Sequence, residues 1–233
     1  MTLSTLFDLT NRTALITGGS RGLGLEFVEG LAEAGARLWL PARRQQWLSP
    51  ALKTLRDKGF DALGATCDVT KLEDVNKTVD ACLQAFGKLD ILINNAGISW
   101  SAQAAAKKLM IPNNYGRISV ASIAGLKGVM PTGIHYAAYV ASKGGLIALT
   151  KKLAAKWAQY NISVNAIFPC FFPSRITEDV TAARGEAEMP TSTPMRRISR
   201  PGKLKGVGVF LAADASNFIT GQNIVVDGGR TAV

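Results

Sequence analysis

Histidine is almost absent from these 233 residues: His135 stands alone. A polyhistidine metal site and any mechanism needing two imidazoles are therefore excluded. Cysteine is nearly as scarce. Cys67, Cys82 and Cys170 are an odd number at unrelated spacings with no Cys-x-x-Cys pair, so neither a zinc site nor a dithiol centre is expected and the thiols read as buried or idle. Aromatic residues make up only 7%. No apolar run reaches the eighteen or so residues that a membrane helix needs, and the first eleven residues lack the basic and apolar regions of a secretory signal. The chain is expected to be soluble and cytoplasmic, with no membrane partner and no metal.

What is present is a chain 47% apolar and 19% charged, without a linker, a low-complexity tract or an internal repeat. That length and composition suit one generous domain, residues 1–233, with a substantial core. Lysine and arginine number 27 against 17 aspartates and glutamates, a net charge of +10. Such a balance raises the question of nucleic acid. The basic residues are dispersed, however, as in Arg43-Arg44, Lys107-Lys108, Lys151-Lys152 and the group from Arg196 to Lys205. No recognition helix or stacking platform lies among them, so no nucleic-acid partner is expected. The charge reads as a solvated surface that also attracts small anions.

Strand-like and helix-like segments alternate along the whole chain, the pattern of a parallel sheet covered on both faces. Short β-branched or apolar runs predict seven strands at 13–17, 37–40, 62–67, 89–94, 116–121, 162–168 and 223–226. Helices are predicted near 23–34, 44–58, 71–86, 103–110, 137–160 and 201–213, with spacings of three and four such as Leu146, Leu149, Leu153 and Trp157. The expected fold is α/β, doubly wound and mostly parallel. One crossover is anomalous. Only 18 residues separate Gly97 from Gly116, and the eight that look helical would rise about 12 Å, barely enough to retrace a strand.

Thr17-Gly18-Gly19-Ser20-Arg21-Gly22-Leu23-Gly24 follows an apolar strand and opens an amphipathic helix. Glycines let backbone approach a pyrophosphate, and the helix N-terminus adds unpaired N–H groups and a positive dipole end. Thr17, Gly18, Ser20, Arg21, Gly22, Leu23 and Gly24 are the resulting cofactor-binding candidates. About 20 residues further on, an acidic side chain would accept the adenosine ribose hydroxyls. Leu40-Pro41-Ala42-Arg43-Arg44 stands there instead. Arg43 and Arg44 after Ala42, with Arg21 near enough to help, suit a 2′-phosphate. NADP(H) is the preferred dinucleotide, NAD(H) the second candidate.

With three later motifs, this opening is similar to the short-chain dehydrogenase/reductase family. Asn94-Asn95-Ala96-Gly97 ends the fourth strand, Ser122 follows the fifth, and Tyr139-Val140-Ala141-Ser142-Lys143 begins a long helix. The match covers nearly the whole chain in order. It implies a seven-stranded Rossmann sheet and hydride transfer between a nicotinamide and a ketone or secondary alcohol, in a homo-oligomer, dimer or tetramer. It also implies cofactor contacts at Asp68, Val69, Asn95, Ala96, Gly97, Tyr139 and Lys143, and at Pro169 in the loop over the nicotinamide, where Cys170 replaces the usual glycine.

The chemistry can be derived beside the resemblance. Tyr139 and Lys143 are four apart on a helix and so share a face. A free phenol near pKa 10 is too weak an acid to exchange protons efficiently at neutral pH. An adjacent Lys143 ammonium favours the phenolate, though a three-unit depression would take about 4 kcal/mol, so the oxidised nicotinamide ring is expected to contribute. Ser122 can hold the substrate oxygen. His135, four residues before Tyr139, is a candidate for touching substrate.

Departures from the family pattern are equally plain. Its members carry a longer segment between the Asn-Asn-Ala-Gly motif and the strand that delivers the serine, including an asparagine of the proton relay. Roughly 30 residues are absent here, near 101–103, and neither Asn113 nor Asn114 falls on the right side to replace that asparagine. Either residues are missing from the chain at this point or the protein has lost them; the first is preferred, because losing a covering helix would expose apolar sheet. Residues 174–200 read as a substrate lid. Arg175, Arg184, Arg196 and Arg197 around it suit a carboxylate or an acidic carrier. Likeness to members acting on sugar acids such as gluconate, and to 3-oxoacyl-thioester reductases, makes a sugar acid, a polyol or a 3-oxoacyl thioester the expected substrate. The alternative is a catalytically impaired dinucleotide-binding or regulatory protein.

Overall fold

A computed structural model describes residues 2–96, 104–121, 137–172 and 193–233, with backbone alone at 120, 121 and 137–139. Seven strands form one sheet: β1 Thr13–Thr17, β2 Arg37–Ala42, β3 Ala62–Thr66, β4 Ile91–Asn94, β5 Gly116–Ala121, β6 Ile162–Pro169 and β7 Asn223–Val226. Their spatial order is β3-β2-β1-β4-β5-β6-β7, and every pairing is parallel. The order reverses between β1 and β4, so connections leave to opposite sides there and open a crevice at the carboxyl ends of the strands.

Alternation along the strands builds the two faces. Ala14, Ile16, Leu38 and Leu40 pack on one side with Phe27, Val28 and Leu31 of α2 (Gly22–Glu33) and Leu48, Leu52 and Leu55 of α3 (Gln45–Asp57). Leu211 of α6 (Lys205–Ala212) closes the same side. Leu15, Trp39 and Leu92 point the other way, against Val79, Cys82 and Phe86 of α4 (Leu72–Phe86) and Leu153 and Trp157 of α5 (Ala137–Trp157). Each large apolar side chain so buried stabilises the fold by about 1.5–3 kcal/mol before entropy is counted.

Several predicted boundaries move. β2 runs two residues further, through Pro41 to Ala42; Pro41 lies beyond Trp39, the last residue paired with β1, so its missing N–H breaks no bond there. β4 begins at Ile91 rather than at 89. A short helix, α1 Leu3–Leu6, escapes the sequence reading; a reciprocal Thr2–Thr5 capping box forms it without buried residues. No described helix is long and apolar enough to cross a membrane.

The anomalous crossover is helical from Ala104 as expected, but α-helical only at Ala104 and Ala105. Ala106–Met110 is π-helical, with Ile111 N–H donating to Ala106 O at 2.9 Å and Tyr115 N–H to Met110 O at 3.2 Å. Ala105, Ala106, Leu109 and Met110 are buried on Leu92 and Ile118, while Lys108 reaches both Asp80 carboxylate oxygens on α4 at 2.8 and 3.0 Å. This wide turn therefore covers the sheet that a shortened crossover was expected to expose. The segment at 101–103 lies outside the described residues.

Candidate functional site

The register between β1 and β4 sets Thr17 opposite Asn94, which brings the glycine turn against the loop that leaves β4. Thr17 Oγ1 accepts from the backbone N–H of Asn95 and of Ala96, each at 3.1 Å. Asn95 Nδ2 donates in return to the Gly18 carbonyl at 3.3 Å. Two sequence motifs about 78 residues apart thus become one rigid crevice wall.

Glycine is required in that turn for two reasons. Gly18 and Gly22 have φ of 66° and 57°, in the left-handed region where a side chain is strained. Gly24 has no such constraint, but a Cβ there would fall on the Gly18 carbonyl oxygen and 2.7 Å from Asn95 Nδ2. Helix α2 starts at Gly22, with Arg21 extended at its cap and no side-chain cap bond, so its first N–H groups face the crevice mouth. Ser20 is half-buried beside them, and Leu23 packs on the core.

At the end of β2, Ala42 is buried and Arg43 and Arg44 are exposed, with no carboxylate among them. Asp68 and Val69 follow β3, both half-buried. The Asp68 carboxylate accepts from the Thr70 N–H at 3.1 Å and its hydroxyl at 2.8 Å, and these bonds, with smaller help from the Arg43 charge, hold it below the usual carboxylate range. Arg21 lies over the ring of Trp47, 4.9 Å from its centroid. Trp47 is a contact that sequence reading missed; an exposed tryptophan one turn into a helix gives no local signal of a partner in another loop.

Of the catalytic candidates, Lys143 is the one whose side chain is described. It is 8% exposed on α5, and burial pushes its pKa below the usual lysine range. Tyr139 lies in the first turn of the same helix, four residues away and hence on the same side; its side chain is not described. Ser122 and Gly97 lie outside the described residues, as do His135, Arg175 and Arg184. The strand leading to Ser122 ends at Ala121, paired with Ile167 of β6.

Pro169 ends β6 opposite Val226. The left-handed residue of the following loop is Phe171, with φ of 30°, and not Cys170, so cysteine can stand where the family places glycine. Phe171 is clamped: its carbonyl accepts from Ser199 N–H at 2.9 Å and Arg230 lies 4.5 Å over its ring. Residues 193–200 of the expected lid are tied to this mouth, Met195 N–H donating to Gly228 O at 3.1 Å. Arg196 and Arg197 are exposed there. All three cysteines are buried and free; burial raises their pKa values, that of Cys82 to about 12.

Comparison with known proteins agrees with this geometry. A family model described as short chain dehydrogenase matches residues 12–110, and one described as enoyl-(acyl carrier protein) reductase matches residues 100–231. Gluconate 5-dehydrogenase of Gluconobacter oxydans is 34% identical over 256 positions, covering 97% of each chain. A tropinone reductase homolog of Arabidopsis thaliana is 33% identical, covering 97% of this chain and 94% of its own. Among solved structures, a gluconate 5-dehydrogenase from Burkholderia cenocepacia in complex with NADP and tartrate superposes with a TM-score of 0.91 at 33% identity, over the full length of both chains. This chain belongs to the short-chain dehydrogenase/reductase family, oxidoreductases that act on CH–OH and C=O groups.

Proposed function

We propose that the protein is an NADP(H)-dependent oxidoreductase interconverting a ketone and a secondary alcohol on a sugar acid or polyol. The observation that carries this reading is the interlock of Thr17, Gly18, Gly24 and Asn95 at the switch point, which leaves backbone where a pyrophosphate must approach. The lack of a carboxylate in the Leu40–Arg44 segment that ends β2, where Arg43 and Arg44 stand instead, supports the phosphorylated dinucleotide over NAD(H).

When bound, NADPH supplies the hydride. Tyr139 donates the proton to the carbonyl oxygen, or accepts it in the oxidative direction, and Ser122 holds that oxygen by a hydrogen bond. Lys143 favours the phenolate through its positive charge and orients the nicotinamide ribose. Its burial strengthens that field, since a charge in a dry environment is screened less. Ala42, Asp68, Val69, Ala96, Gly97 and Pro169 complete the dinucleotide contacts. Relatives named for gluconate and the arginines of the 174–200 lid support a carboxylate-bearing substrate. The reading includes a cytoplasmic homo-oligomer, whose size light scattering measures.

The crossover between β4 and β5 is part of the same proposal. An alignment of 256 positions exceeds the 233 residues of the chain, as either explanation of the gap requires; the buried π-helical turn supports a real shortening over the omission preferred on area grounds. Intact mass tests it: 24.7 kDa is expected, and about 3 kDa more would reveal an omitted segment of roughly 30 residues.

The functional test mixes the protein with NADPH and a panel of keto sugar acids, ketoses and 3-oxoacyl thioesters while nicotinamide absorbance is followed. Turnover of a keto acid is expected, with Tyr139→Phe lowering kcat about 100-fold or more and retaining cofactor binding. Binding without turnover on any member of the panel would overturn the enzymatic reading in favour of a dinucleotide-binding or regulatory protein.

A further inference from the structure

Resting on the NADP(H) reading, we infer that Trp47 is a positioning residue for recognition of the adenosine 2′-phosphate, acting through Arg21. Two of the four tryptophans, Trp39 and Trp157, are 6% and 3% exposed within the core, whereas Trp47 is 40% exposed on the first turn of α3. Its backbone is fixed there, the N–H donating to Arg44 O at 3.1 Å. With Ser20, Gln46 and Pro50 it lines a groove of about 300 Å³ between α2 and α3. The Arg21 guanidinium carbon sits 4.9 Å from the ring centroid, within the range in which the ring face attracts a cation.

A guanidinium attracted to a ring face through its carbon keeps N–H donors with which two phosphate oxygens can be met together. An unstacked arginine on a turn between glycines would lose side-chain entropy on meeting a phosphate. The tryptophan orders it beforehand. The three acids of α2 have their own partners: Glu29, which also lines this groove, pairs with Lys58 and Lys205 at 3.1 Å each, Glu33 pairs with Lys205 at 2.7 Å, and Glu26 accepts from the Leu204 N–H at 3.1 Å. Arg43 shares its field with Asp68. Arg21 is thus, beside the exposed Arg43 and Arg44, the arginine of this corner that an aromatic ring supports.

The test titrates adenosine 2′,5′-bisphosphate and 5′-AMP into the wild type, Trp47→Ala, Trp47→Phe, Arg21→Ala and the Arg21→Ala/Trp47→Ala double variant, with folding checked by circular dichroism. Trp47→Ala is expected to weaken the bisphosphate by roughly two- to fivefold and 5′-AMP by less than twofold. Trp47→Phe should restore most of the loss, and the double variant should bind no more weakly than Arg21→Ala. Equal losses for both ligands, no loss, or losses that add in the double variant overturn the role of Trp47 while leaving the cofactor reading intact. A wild type that binds both ligands equally overturns the NADP(H) reading and, with it, this inference.

Discussion

Thr17 and Asn95 hold one another from two directions: the Thr17 hydroxyl accepts from the Asn95 backbone N–H at 3.1 Å, and the Asn95 side chain donates to the carbonyl of Gly18 at 3.3 Å. Thr17 is 1% exposed, so Thr17→Val keeps the shape of the site while removing the acceptor of the Ala96 N–H and one of the two acceptors of the Asn95 N–H, which keeps Ile93 O at 3.2 Å. A cost of about 1–3 kcal/mol is expected, measured by urea denaturation. Dinucleotide affinity should fall in the same variant, because both walls of the crevice depend on this hydroxyl.

Gly22 and Gly24 should respond differently to the same substitution. Nothing lies within 4 Å of a Cβ at Gly22, so Gly22→Ala meets only left-handed strain, about 1–2 kcal/mol. At Gly24 the new methyl would collide with backbone and with Asn95, neither of which can yield without moving the turn. NADPH affinity is expected to drop more than tenfold in Gly24→Ala and severalfold at most in Gly22→Ala, as read by isothermal titration.

Lys143 is a buried ammonium whose folded-state pKa lies below its unfolded value. The unfolded chain consequently holds this proton more tightly. Below the folded value the penalty is present in full, and stability recovers as pH rises from there toward the usual lysine range. Lys143→Met removes the penalty, so its urea midpoint should equal or exceed that of the wild type at pH 7, the difference narrowing toward pH 10. Activity should fall about 100-fold or more in the same variant. A midpoint well below wild type at pH 7 would contradict the pKa direction.

Asp214 gathers three groups at the amino ends of the strands, opposite the crevice. Its carboxylate accepts from Arg117 at 3.2 Å, from Arg12 at 3.2 Å and from the Tyr115 hydroxyl at 3.0 Å. Arg12 and Arg117 lie on the Tyr115 ring, at 4.0 and 4.4 Å, and burial first of all pushes the phenol up to about 12. Arg117 is 2% exposed, so Asp214→Ala leaves a buried cation without its counter-charge, at an expected cost of about 3 kcal/mol. Thermal denaturation measures it. KM for NADPH in the folded variant should stay within twofold of wild type.

Much of this was legible in the chain itself. Seven apolar runs separated by helical periods specify a two-faced parallel sheet, because each strand must bury side chains on both sides. The glycine spacing specifies a phosphate turn, because conformational freedom and backbone access are local properties. Tyr139 and Lys143 share a helix face by arithmetic alone. The tertiary structure decided what depends on segments far apart in sequence. Register put Thr17 opposite Asn94 and so beside the loop that follows, the approach of α3 to the glycine turn gave Arg21 an aromatic support, and Ala106–Met110 of the expected helix took π-helical form over Leu92 and Ile118. No local propensity encodes those contacts, since each exists only once the sheet order has brought its two partners together.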